Sequence, residues 1–408
     1  MLWVREMKVE IKQGSAFGRI AAPPSKSYAH RLLICAALAD GESIIQGVSF
    51  NEDILATLDC LEALGAAYTT DGDKITVRGC GGKINPRKTL PCRESGSTLR
   101  FLIPAALMGG GTVTFSGTER LIARGIGIYE ELFAGRGAEF SIGRTDITVT
   151  GGIRSGVYKI KGNVSSQFIS GMLFALPLSA GDSTIEIIPP VESRSYINIT
   201  LDVLHRFGIT IHQTEDNILD IPGGQSYRPA ELFVEGDWSN AAFLYALNCV
   251  GGNVDVTGLN SNSLQGDKIC LELFEKINQG NANIDLSDCP DLAPVLFAVA
   301  AAKHGAVFTG TRRLAIKESD RAAAMAQELA KFGVRVRLFE NAAEVIPDTF
   351  IKPECPLSGH NDHRIVMALS VLSMLTGAVI EGAEAVKKSY PDFFTVLQKA
   401  GLEVIYEV

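Results

Sequence analysis

The sequence predicts an α/β protein of two similar globular domains, each built of three βαβαββ repeats with the helices packed inside and the sheets outside. Three observations support this fold class: the length of the chain, an apolar segment that recurs six times, and strand patterns that follow each recurrence. The chain has 408 residues, of which 46% are hydrophobic and 21% charged. This length suffices for two or three domains with cores of their own, and the composition excludes a disordered or fibrous protein.

The recurring segment begins with a polar residue and continues as an apolar run that ends near a glycine. Five copies have a glycine 14 positions after their first residue, and the copy from Ser239 has Gly252 13 positions after it. A polar start and a glycine stop are typical of helices. The sequence therefore predicts six apolar helices, which start near Ser27, Ser97, Gln167, Ser239, Asp291 and His363.

Short runs of alternating hydrophobic residues follow the glycines, such as ESIIQG and TVTFSG, and they predict strands. Most copies then show a second helical pattern that ends in leucine and glycine, as in LEALG, LHRFG, LAKFG and LQKAG. One repeat cannot bury two apolar helices by itself, so the helices must pack against one another with the sheets outside. Three repeats in each domain put the hinge near Phe233 to Asp237.

Charge and targeting patterns narrow the class of protein. The 38 Lys and Arg against 46 Asp and Glu argue against a nucleic-acid backbone as the main partner. Met1 to Gln13 lacks the apolar run of a signal peptide, and apolar stretches such as Phe168 to Ala180 are too short to span a bilayer. We therefore expect a cytoplasmic protein without membrane contact. The eight cysteines form no C-x-x-C pair, so neither a zinc ribbon nor a dithiol site is indicated.

Cationic residues cluster at the predicted helix starts. Lys26 and Arg31 flank the first helix, Arg100 lies in the second, and Arg364 begins the sixth. A helix N-terminus offers free N–H groups and the positive end of the macrodipole, which suit a phosphate or a carboxylate. Several such ends together would bind strongly anionic ligands, but each signal alone is weak. For Pro23 to Ser27, an ordinary capped helix with a solvated lysine explains the pattern about equally well.

Three further charged segments favour plain structural interpretations. Residues 316–321 (IKESDR) are typical of a solvated first helical turn capped by Ser319. His360 and His363 lack a third ligand at a suitable spacing, so a capped helix start is favoured over a metal site. Residues 387–392 (KKSYPD) favour a surface loop.

Ten motifs in chain order carry a resemblance to a known family. They are PPSKSYAHR, ESGSTLR, ERLIARGI, SSQF, ESRSY, VEGDWS, CPDLA, IKESDR, NDHR and KKSYPDF. In these motifs the chain resembles the enolpyruvyl transferases, most closely the branch that acts on shikimate 3-phosphate. The resemblance implies two inside-out α/β barrels, with the first strand of the chain completing the second. It thus implies one domain of residues 21–235 and a second of residues 1–20 plus 236–408.

The resemblance also implies a reaction. The carboxyvinyl group of phosphoenolpyruvate would be transferred to the 5-hydroxyl of shikimate 3-phosphate, with release of phosphate, by addition and elimination in a cleft between two closing domains. This step belongs to aromatic amino-acid biosynthesis by the shikimate pathway. No metal or organic cofactor is implied, because phosphoenolpyruvate carries its own leaving group, and one cleft per chain implies a monomer.

The motifs assign residues to each substrate, again by resemblance. Two phosphates and two carboxylates need many cations, and arginine is suited to bidentate contacts. The residues implied around phosphoenolpyruvate are Lys26, Gly96, Arg124, Gln167, Arg321, Arg364 and Lys388. Those implied around shikimate 3-phosphate are Ser27, Arg31, Ser165, Ser166, Ser193, Asp291 and Lys317.

Proton transfer requires acids and bases within hydrogen-bond reach of the reacting atoms. The candidates are Asp291, as the base toward the 5-hydroxyl, with Glu318 and Lys26 sharing proton delivery to the methylene carbon. The residues leave open which group performs which step.

The chain departs from the family pattern at five positions. Glu94 and Arg313 stand where asparagine is usual, Ser97 where threonine is usual, and Phe101 and Gly125 where proline is common. A carboxylate at position 94 would repel anionic substrates if it pointed toward them. These departures bear on substrate affinity more than on the type of reaction.

Two alternatives remain open. The sister enzyme that acts on UDP-N-acetylglucosamine typically has Lys-Asn in the first motif and a reactive loop cysteine, whereas here Lys26 precedes Ser27 and Cys92 is the one candidate thiol. A non-catalytic repeat protein that binds phosphorylated metabolites would keep the cations but would not need Asp291 together with Glu318. The presence of both carboxylates favours an enzyme.

Overall fold

A computed structural model describes residues 7–85, 89–280 and 282–407 of the chain. The predicted domain ranges also contain residues 1–6, 86–88, 281 and 408, which lie outside the described residues. Contacts divide the described chain into two units. Domain I is Pro24–Glu235, and domain II joins the described residues up to Pro23 to those from Gly236 onward.

The helices of domain I are α1 (Lys26–Leu38), α2 (Glu52–Ala63), α3 (Gly96–Met108), α4 (Glu119–Ala123), α5 (Gly127–Phe133), α6 (Ser166–Ala175) and α7 (Arg194–Arg206). Those of domain II are α8 (Trp238–Cys249), α9 (Cys270–Gln279), α10 (Ala293–Ala302), α11 (Arg321–Lys331), α12 (His363–Thr376) and α13 (Phe393–Lys399). The first helix of each repeat therefore lies where the recurring segment predicts it. The second helix is present in all six repeats, including the two that lack the leucine and glycine ending.

The strands are shorter than the helices and are numbered in chain order. They are β1 (Lys8–Ile11), β2 (Phe17–Ala21), β3 (Glu42–Gln46), β4 (Ala67–Asp71), β5 (Lys74–Arg78), β6 (Thr89–Arg93), β7 (Thr112–Gly117), β8 (Ala138–Ile142), β9 (Asp146–Gly151), β10 (Val157–Lys161), β11 (Ser183–Ile188), β12 (His212–Glu215), β13 (Ile218–Ile221), β14 (Glu231–Phe233), β15 (Asn253–Thr257), β16 (Ala282–Asp285), β17 (Ala306–Thr309), β18 (Arg335–Leu338), β19 (Ala342–Ile346), β20 (Leu357–Ser358), β21 (Ala378–Glu381) and β22 (Val404–Glu407).

Domain I repeats one sheet topology three times. Its sheets have the strand orders β14-β3-β5-β4, β6-β7-β9-β8 and β10-β11-β13-β12. In each sheet the first pair is parallel and the next two pairs are antiparallel. A parallel pair needs a crossover connection, and an apolar helix of the repeat supplies it in the second and third sheets.

Domain II has the same pattern in β16-β17-β19-β18 and in β20-β21-β1-β22. In the second of these sheets β1 lies between β21 and β22, with Lys8 opposite Glu407 and Ile11 opposite Ala378. The remaining sheet is a parallel pair of β15 and β2 among the described residues. The chain's first described strand therefore completes a sheet that is otherwise built near its C-terminus.

The apolar helices form the interior of each domain. Helix α3 packs against α6, and α10 packs against α12. The first nine residues of α10, Ala293–Ala301, are buried. The outward strands alternate instead: β10 buries Tyr158 and Ile160 and exposes the residues between and beside them. Helices inside and sheets outside confirm the predicted fold class. Within the described ranges, no helix is both long enough and apolar enough to cross a membrane.

Candidate active site

In domain I, the start of α1 holds a paired lysine. Ser25 caps the helix, and its side chain accepts a hydrogen bond from the N–H of Tyr28. Lys26 Nζ lies 2.7 Å from Asp53 Oδ2, and 14% of the lysine side chain is exposed. Asp53 belongs to the first turn of α2. The ammonium is therefore held by a carboxylate, and part of the lysine side chain stays accessible.

Arg31, one turn further along α1, is buried among neutral acceptors. Its guanidinium donates to Thr200 Oγ1 at 2.8 Å, to the Ser27 carbonyl at 2.7 Å and to the Tyr196 carbonyl at 3.1 Å. Burial lowers the pKa of Arg31 to about 10, so the side chain stays charged at neutral pH. The predicted binding residues Ser27 and Arg31 are thus in direct contact, and the guanidinium ties α1 to α7.

A chain of hydrogen bonds joins the starts of α3 and α6. Arg100 Nη1 donates to Gln167 Oε1 at 2.8 Å, and Gln167 Nε2 donates to Ser97 Oγ at 2.9 Å. Arg100 Nη2 also donates to the carbonyls of Arg124 and Gly125. Both ends of the Gln167 amide are therefore fixed, and Arg100 anchors the backbone that carries Arg124.

Gly96, the first residue of α3, lies directly against Arg124. A Cβ atom built on Gly96 would lie 2.8 Å from Arg124 Nη1, which is closer than real side chains allow. The absence of a side chain at position 96 therefore leaves the guanidinium its space. The predicted residues Gly96, Arg124 and Gln167 thus belong to one connected group in domain I.

Three predicted serines lie at helix starts of the same domain. Ser165 caps α6 and accepts from the N–H of Gln167, and Ser166 is buried in its first turn. Ser193 precedes α7 and is buried with a φ of 56°, in the left-handed region. A non-glycine residue in that region is strained, and such strain is common where function fixes the backbone.

Domain II contains a network of charges centred on Arg321. Its guanidinium lies 2.7 Å from Asp291 Oδ1, 2.7 Å from Glu318 Oε2 and 2.8 Å from Asp362 Oδ2. The side chain of Arg321 is 1% exposed, and that of Asp362 is 0% exposed. Buried charges are stable only when they are paired and hydrogen-bonded, and this arginine has three carboxylate partners.

Asp291 contacts two further cations of the network. Its Oδ1 is 3.1 Å from Lys317 Nζ, and its Oδ2 is 3.4 Å from Arg364 Nη2. Burial by itself would raise the pKa of Asp291, but Arg364, Lys317 and Arg321 outweigh burial and hold that pKa well below its usual range. Asp291 is therefore ionised at neutral pH, can accept a hydrogen bond from a hydroxyl, and is a weak base.

Lys317 differs from the arginines because it can lose its proton near neutral pH. Burial, together with Arg321 and Arg313, lowers the pKa of Lys317 to about 8, although Asp291 and Glu318 act in the opposite direction. A lysine with such a pKa is suited to proton exchange. Lys317 and Asp291 together form a cation and carboxylate pair in which one member titrates near pH 8.

The start of α12 completes the network. Asp362 caps the helix and accepts from the N–H of Arg364. Arg364 Nη1 donates to Ser239 Oγ at 2.7 Å. Lys388 Nζ donates to the carbonyl of Asn361 at 2.8 Å, so this predicted residue is attached to the same loop. All the predicted residues of domain II are therefore brought together.

Two predictions for domain II are wrong. Residues 387–392 are not a plain surface loop, because Lys388 ends a short 3-10 helix and Ser389 and Tyr390 are buried.

The second wrong prediction concerns the start of α11. Asp320, not Ser319, caps α11, because its side chain accepts from the N–H of Ala323. Ser319 is buried and lies 3.0 Å from Asp362 Oδ2. The charged segment is only partly solvated, because Arg321 is buried whereas Asp320 is exposed. A run of charged residues does not by itself indicate exposure, because its members can pair with residues that are distant in the sequence.

The two histidines near α12 have structural contacts. His360 lies 3.0 Å from Glu328 Oε1, and His363 is buried in the first turn of α12. No group of three or more His, Cys, Asp or Glu side chains in the described ranges could hold a metal ion. Cys92 is fully buried, and its Sγ lies 4.0 Å from that of Cys60.

Four residues that contact predicted site residues were not predicted as part of the site: Asp53, Arg100, Ser239 and Asp362. Asp362 lies inside the NDHR motif and Ser239 opens a repeat, so both positions carry a signal in the sequence. Asp53 has no such signal, because an acidic first helical turn is ordinary. Arg100 was noted as a cation but was not assigned to a binding set.

Comparisons with known proteins give a consistent result. The family model of EPSP synthase (3-phosphoshikimate 1-carboxyvinyltransferase) matches residues 12–397. A relative named 3-phosphoshikimate 1-carboxyvinyltransferase from Clostridium kluyveri is 39% identical, with 97% of this chain and 98% of the relative covered. A relative of the same name from Clostridium perfringens is also 39% identical, with the same coverage.

A solved structure shares the fold. EPSP synthase from Acinetobacter baumannii superposes with a TM-score of 0.81 at 23% identity, covering 98% of this chain and 100% of that one. This identity supports the fold alone, whereas the family model and the clostridial relatives span nearly the whole sequence. The family model over residues 12–397 and the clostridial relatives show that the chain belongs to the EPSP synthase family.

Proposed function

We propose that this chain is a 3-phosphoshikimate 1-carboxyvinyltransferase, which transfers the carboxyvinyl group of phosphoenolpyruvate to the 5-hydroxyl of shikimate 3-phosphate and releases phosphate. The observation that carries the proposal is the network in domain II, where Asp291 contacts Lys317, Arg321 and Arg364 and where Glu318 shares Arg321. A protein that only binds phosphate esters needs the cations but not two carboxylates among them. Membership of the family supports the same reaction.

The chemistry has two stages. In the addition, the 5-hydroxyl oxygen forms a bond to C2 of phosphoenolpyruvate, the hydroxyl loses its proton, and the methylene carbon C3 gains one. In the elimination, C3 loses a proton and the C–O bond to phosphate breaks. Both stages need one group that accepts a proton and another that donates one within hydrogen-bond reach.

Asp291 is assigned to the 5-hydroxyl. As an ionised carboxylate it can accept the hydroxyl hydrogen bond and orient the oxygen for attack, but its lowered pKa makes it a poor final proton acceptor. Lys317, 3.1 Å away and with a pKa of about 8, can take the proton onward when neutral. Glu318 and Lys26 are assigned to proton delivery at C3.

The remaining site residues bind the anionic groups. Cations lower the free energy of phosphate and carboxylate binding most when they are held in place beforehand, and the contacts of Arg321 and Arg364 do this. For phosphoenolpyruvate we assign Lys26, Gly96, Arg124, Gln167, Arg321, Arg364 and Lys388. For shikimate 3-phosphate we assign Ser27, Arg31, Ser165, Ser166, Ser193, Asp291 and Lys317.

The proposal extends to assembly and location. One chain carries every residue of the two sets, which supports a monomer, and phosphorylated metabolites as substrates support the cytoplasm. Light scattering of the purified protein at several concentrations tests the first point. A molar mass twice that of one chain would contradict it.

The deciding experiment measures phosphate release from phosphoenolpyruvate with shikimate 3-phosphate, with UDP-N-acetylglucosamine, and with no acceptor. We expect release with shikimate 3-phosphate alone and a loss of about a thousandfold in kcat for Asp291→Ala, since one oriented hydrogen bond and one proton-transfer contact disappear. Asp288→Ala, a change at an aspartate with no assigned role, is the matched control. Release with UDP-N-acetylglucosamine, or with neither acceptor, would reject the proposal.

A further inference from the structure

Asp267 is a buried carboxylate of domain II that the proposed reaction does not use. It lies in a short 3-10 helix, Gly266–Ile269, just before α9, and is 4% exposed. Gln265, two residues before Asp267, ties this segment to the start of α8: its Nε2 donates to the Gly236 carbonyl at 2.8 Å, and its Oε1 accepts from the N–H of Trp238 at 3.0 Å. Asp267 is thereby held beside the first turn of α8.

A single hydroxyl connects Asp267 to the cationic network. Ser239 is hydrogen-bonded to the carboxyl group of Asp267. Its Oγ also accepts a hydrogen bond from Arg364 Nη1 at 2.7 Å. Because Arg364 can only donate, the hydroxyl proton of Ser239 is left to point at Asp267. The contacts therefore run from carboxylate to hydroxyl to guanidinium, and they hold Arg364 Nη1, which also donates to the Asp291 carbonyl at 3.2 Å.

The groups around Asp267 come from several elements. Asp291 and Asp237 add negative charge, Arg364 adds positive charge, and Cys270 and Cys289 lie within electrostatic range. Burial raises the pKa of both thiols, so they are neutral. Burial and the charge of Asp291 raise the pKa of Asp267 to about 6, while Arg364 and the Ser239 hydrogen bond oppose the rise.

The pKa of Asp267 depends on the positive charge of Arg364, which favours the ionised carboxylate. An anion bound at Arg364 offsets the guanidinium charge that favours the ionised carboxylate, and it adds a repulsive charge of its own. Both effects favour the protonated form of Asp267. Protonation then removes one negative charge from the surroundings of the bound anion.

We propose that Asp267 is a positioning residue, which orients Arg364 through Ser239 and takes up a proton when an anionic substrate binds at Arg364. The inference rests on the proposed function only for the identity of that substrate, phosphoenolpyruvate. The positioning role needs an acceptor at residue 267, whereas the proton uptake needs a group that titrates there. Two substitutions separate these requirements.

Asp267→Asn keeps an oxygen that accepts from Ser239 but cannot titrate, and Asp267→Ala removes the acceptor. For the unsubstituted protein we expect KM for phosphoenolpyruvate to rise between pH 6 and pH 8, as the proton must be supplied by the solvent. For Asp267→Asn we expect less of this rise and a KM at pH 8 no higher than in the unsubstituted protein. For Asp267→Ala we expect KM for phosphoenolpyruvate to increase about tenfold at every pH, with KM for shikimate 3-phosphate unchanged.

Ser239→Ala is the matched control, because it breaks the connection and leaves the carboxyl group in place. It should increase KM for phosphoenolpyruvate as Asp267→Ala does and keep the pH dependence. If KM for phosphoenolpyruvate rises with pH as steeply in Asp267→Asn as in the unsubstituted protein, Asp267 does not take up the proton. Equal changes in both KM values for Asp267→Ala would overturn the positioning role, since they indicate a general loss of structure.

A second measurement works without turnover. Sulfate is doubly charged and does not titrate near neutral pH, so calorimetry of sulfate binding in two buffers of different ionisation enthalpy counts protons taken up by the protein. At pH 7 we expect uptake to be larger in the unsubstituted protein than in Asp267→Asn by about half a proton. Equal uptake in the two proteins would reject the inference, even if phosphate release had already rejected the proposed function.

Discussion

The two domains hold their buried cations in opposite ways. In domain I, Arg31 is surrounded by a hydroxyl and backbone carbonyls, and Arg100 by an amide oxygen and carbonyls. In domain II, Arg321 is surrounded by the carboxylates of Asp291, Glu318 and Asp362. Neutral acceptors leave the positive charge available to anions, whereas carboxylates neutralise it and can exchange protons. Arg31 and Arg100 of domain I are therefore suited to attracting anions, whereas the Arg321 network of domain II combines cations with carboxylates that can exchange protons.

Replacing one buried arginine in each domain should give the largest effect, and the loss in the free energy of unfolding should differ between the two domains. Arg321→Met leaves three carboxylates without their shared partner, so we expect a loss of about 3 to 5 kcal/mol in the free energy of unfolding. Arg31→Met removes hydrogen bonds to neutral groups and should lose about 1 to 3 kcal/mol. Urea unfolding followed by circular dichroism at pH 7 measures both losses.

The same pair should respond differently to acid. The folded-state pKa values of Asp291 and Asp362 are lowered, so their stabilisation is present above the unfolded pKa near 4 and is lost as the pH falls through the folded values. The difference in the free energy of unfolding between the unsubstituted protein and Arg321→Met should therefore become smaller below about pH 4. The hydrogen-bond partners of Arg31 do not titrate there, and a pH-dependent loss for Arg31→Met would contradict the comparison.

Lys317 should give the reaction an alkaline limit. Its pKa of about 8 means that the ammonium is lost as the pH rises through 8, so KM for shikimate 3-phosphate should increase about tenfold between pH 7 and pH 9. Lys317→Arg keeps its charge over this range, so it should remove that increase in KM and should also lower kcat. Lys387→Arg, a change at an exposed lysine of domain II with no assigned role, should leave the profile as it is. An unchanged alkaline limit in Lys317→Arg would exclude Lys317 as its origin.

Gly96 tests how far domain I depends on free space around a cation. Gly96→Ala puts a Cβ against the tip of Arg124, which can move without unfolding α3. We expect about a fivefold increase in KM for phosphoenolpyruvate, equivalent to roughly 1 kcal/mol, with KM for shikimate 3-phosphate unchanged. Gly127→Ala is the control, because the nearest atom to its new Cβ is 4.0 Å away. Equal effects of the two substitutions would show that space at position 96 is unimportant.

The smallest effect concerns backbone strain beside α12. His360 and Asn361 have φ values of 48° and 51°, and the Asn361 carbonyl accepts from Lys388. Asn361→Ala should lower the free energy of unfolding by about 1 kcal/mol, because alanine is disfavoured in the left-handed region. Asn361→Gly should stay within about 0.5 kcal/mol of the unsubstituted protein. Thermal unfolding measures both, and an equal loss for the two would argue against strain at this residue.

The fold was accessible from the sequence because its signals are local and repeated. An opening polar residue, an apolar run and a glycine recur six times, and each recurrence became a helix. The second helices α4, α5 and α9 lack the leucine and glycine ending, so the pattern that predicted the other repeats could not find them. Helix caps were predicted less well, since Ser319 and Asp320 are both good capping residues and only the fold decides between them.

The candidate site was only partly accessible. Motif resemblance named Asp291, Arg321 and Arg364, and the structure joins them into one network. The pairing of Lys26 with Asp53 links two helices that the sequence does not relate, and the charge of Asp267 becomes informative only beside Ser239. Contacts between distant residues set the pKa values, so the proton chemistry could not be predicted from residue types alone.

The position of β1 between β21 and β22 has a consequence for synthesis of the protein. Domain I is continuous from Pro24 to Glu235, so its whole core is present once that segment has left the ribosome. Domain II must keep β1 without its sheet partners until the last strands are made, and pairing across such a sequence distance is slow. A chain that ends at Glu235 and has been released from the ribosome should therefore already resist protease. The first described strand of the chain is thus among the last to pair with its neighbours in a sheet.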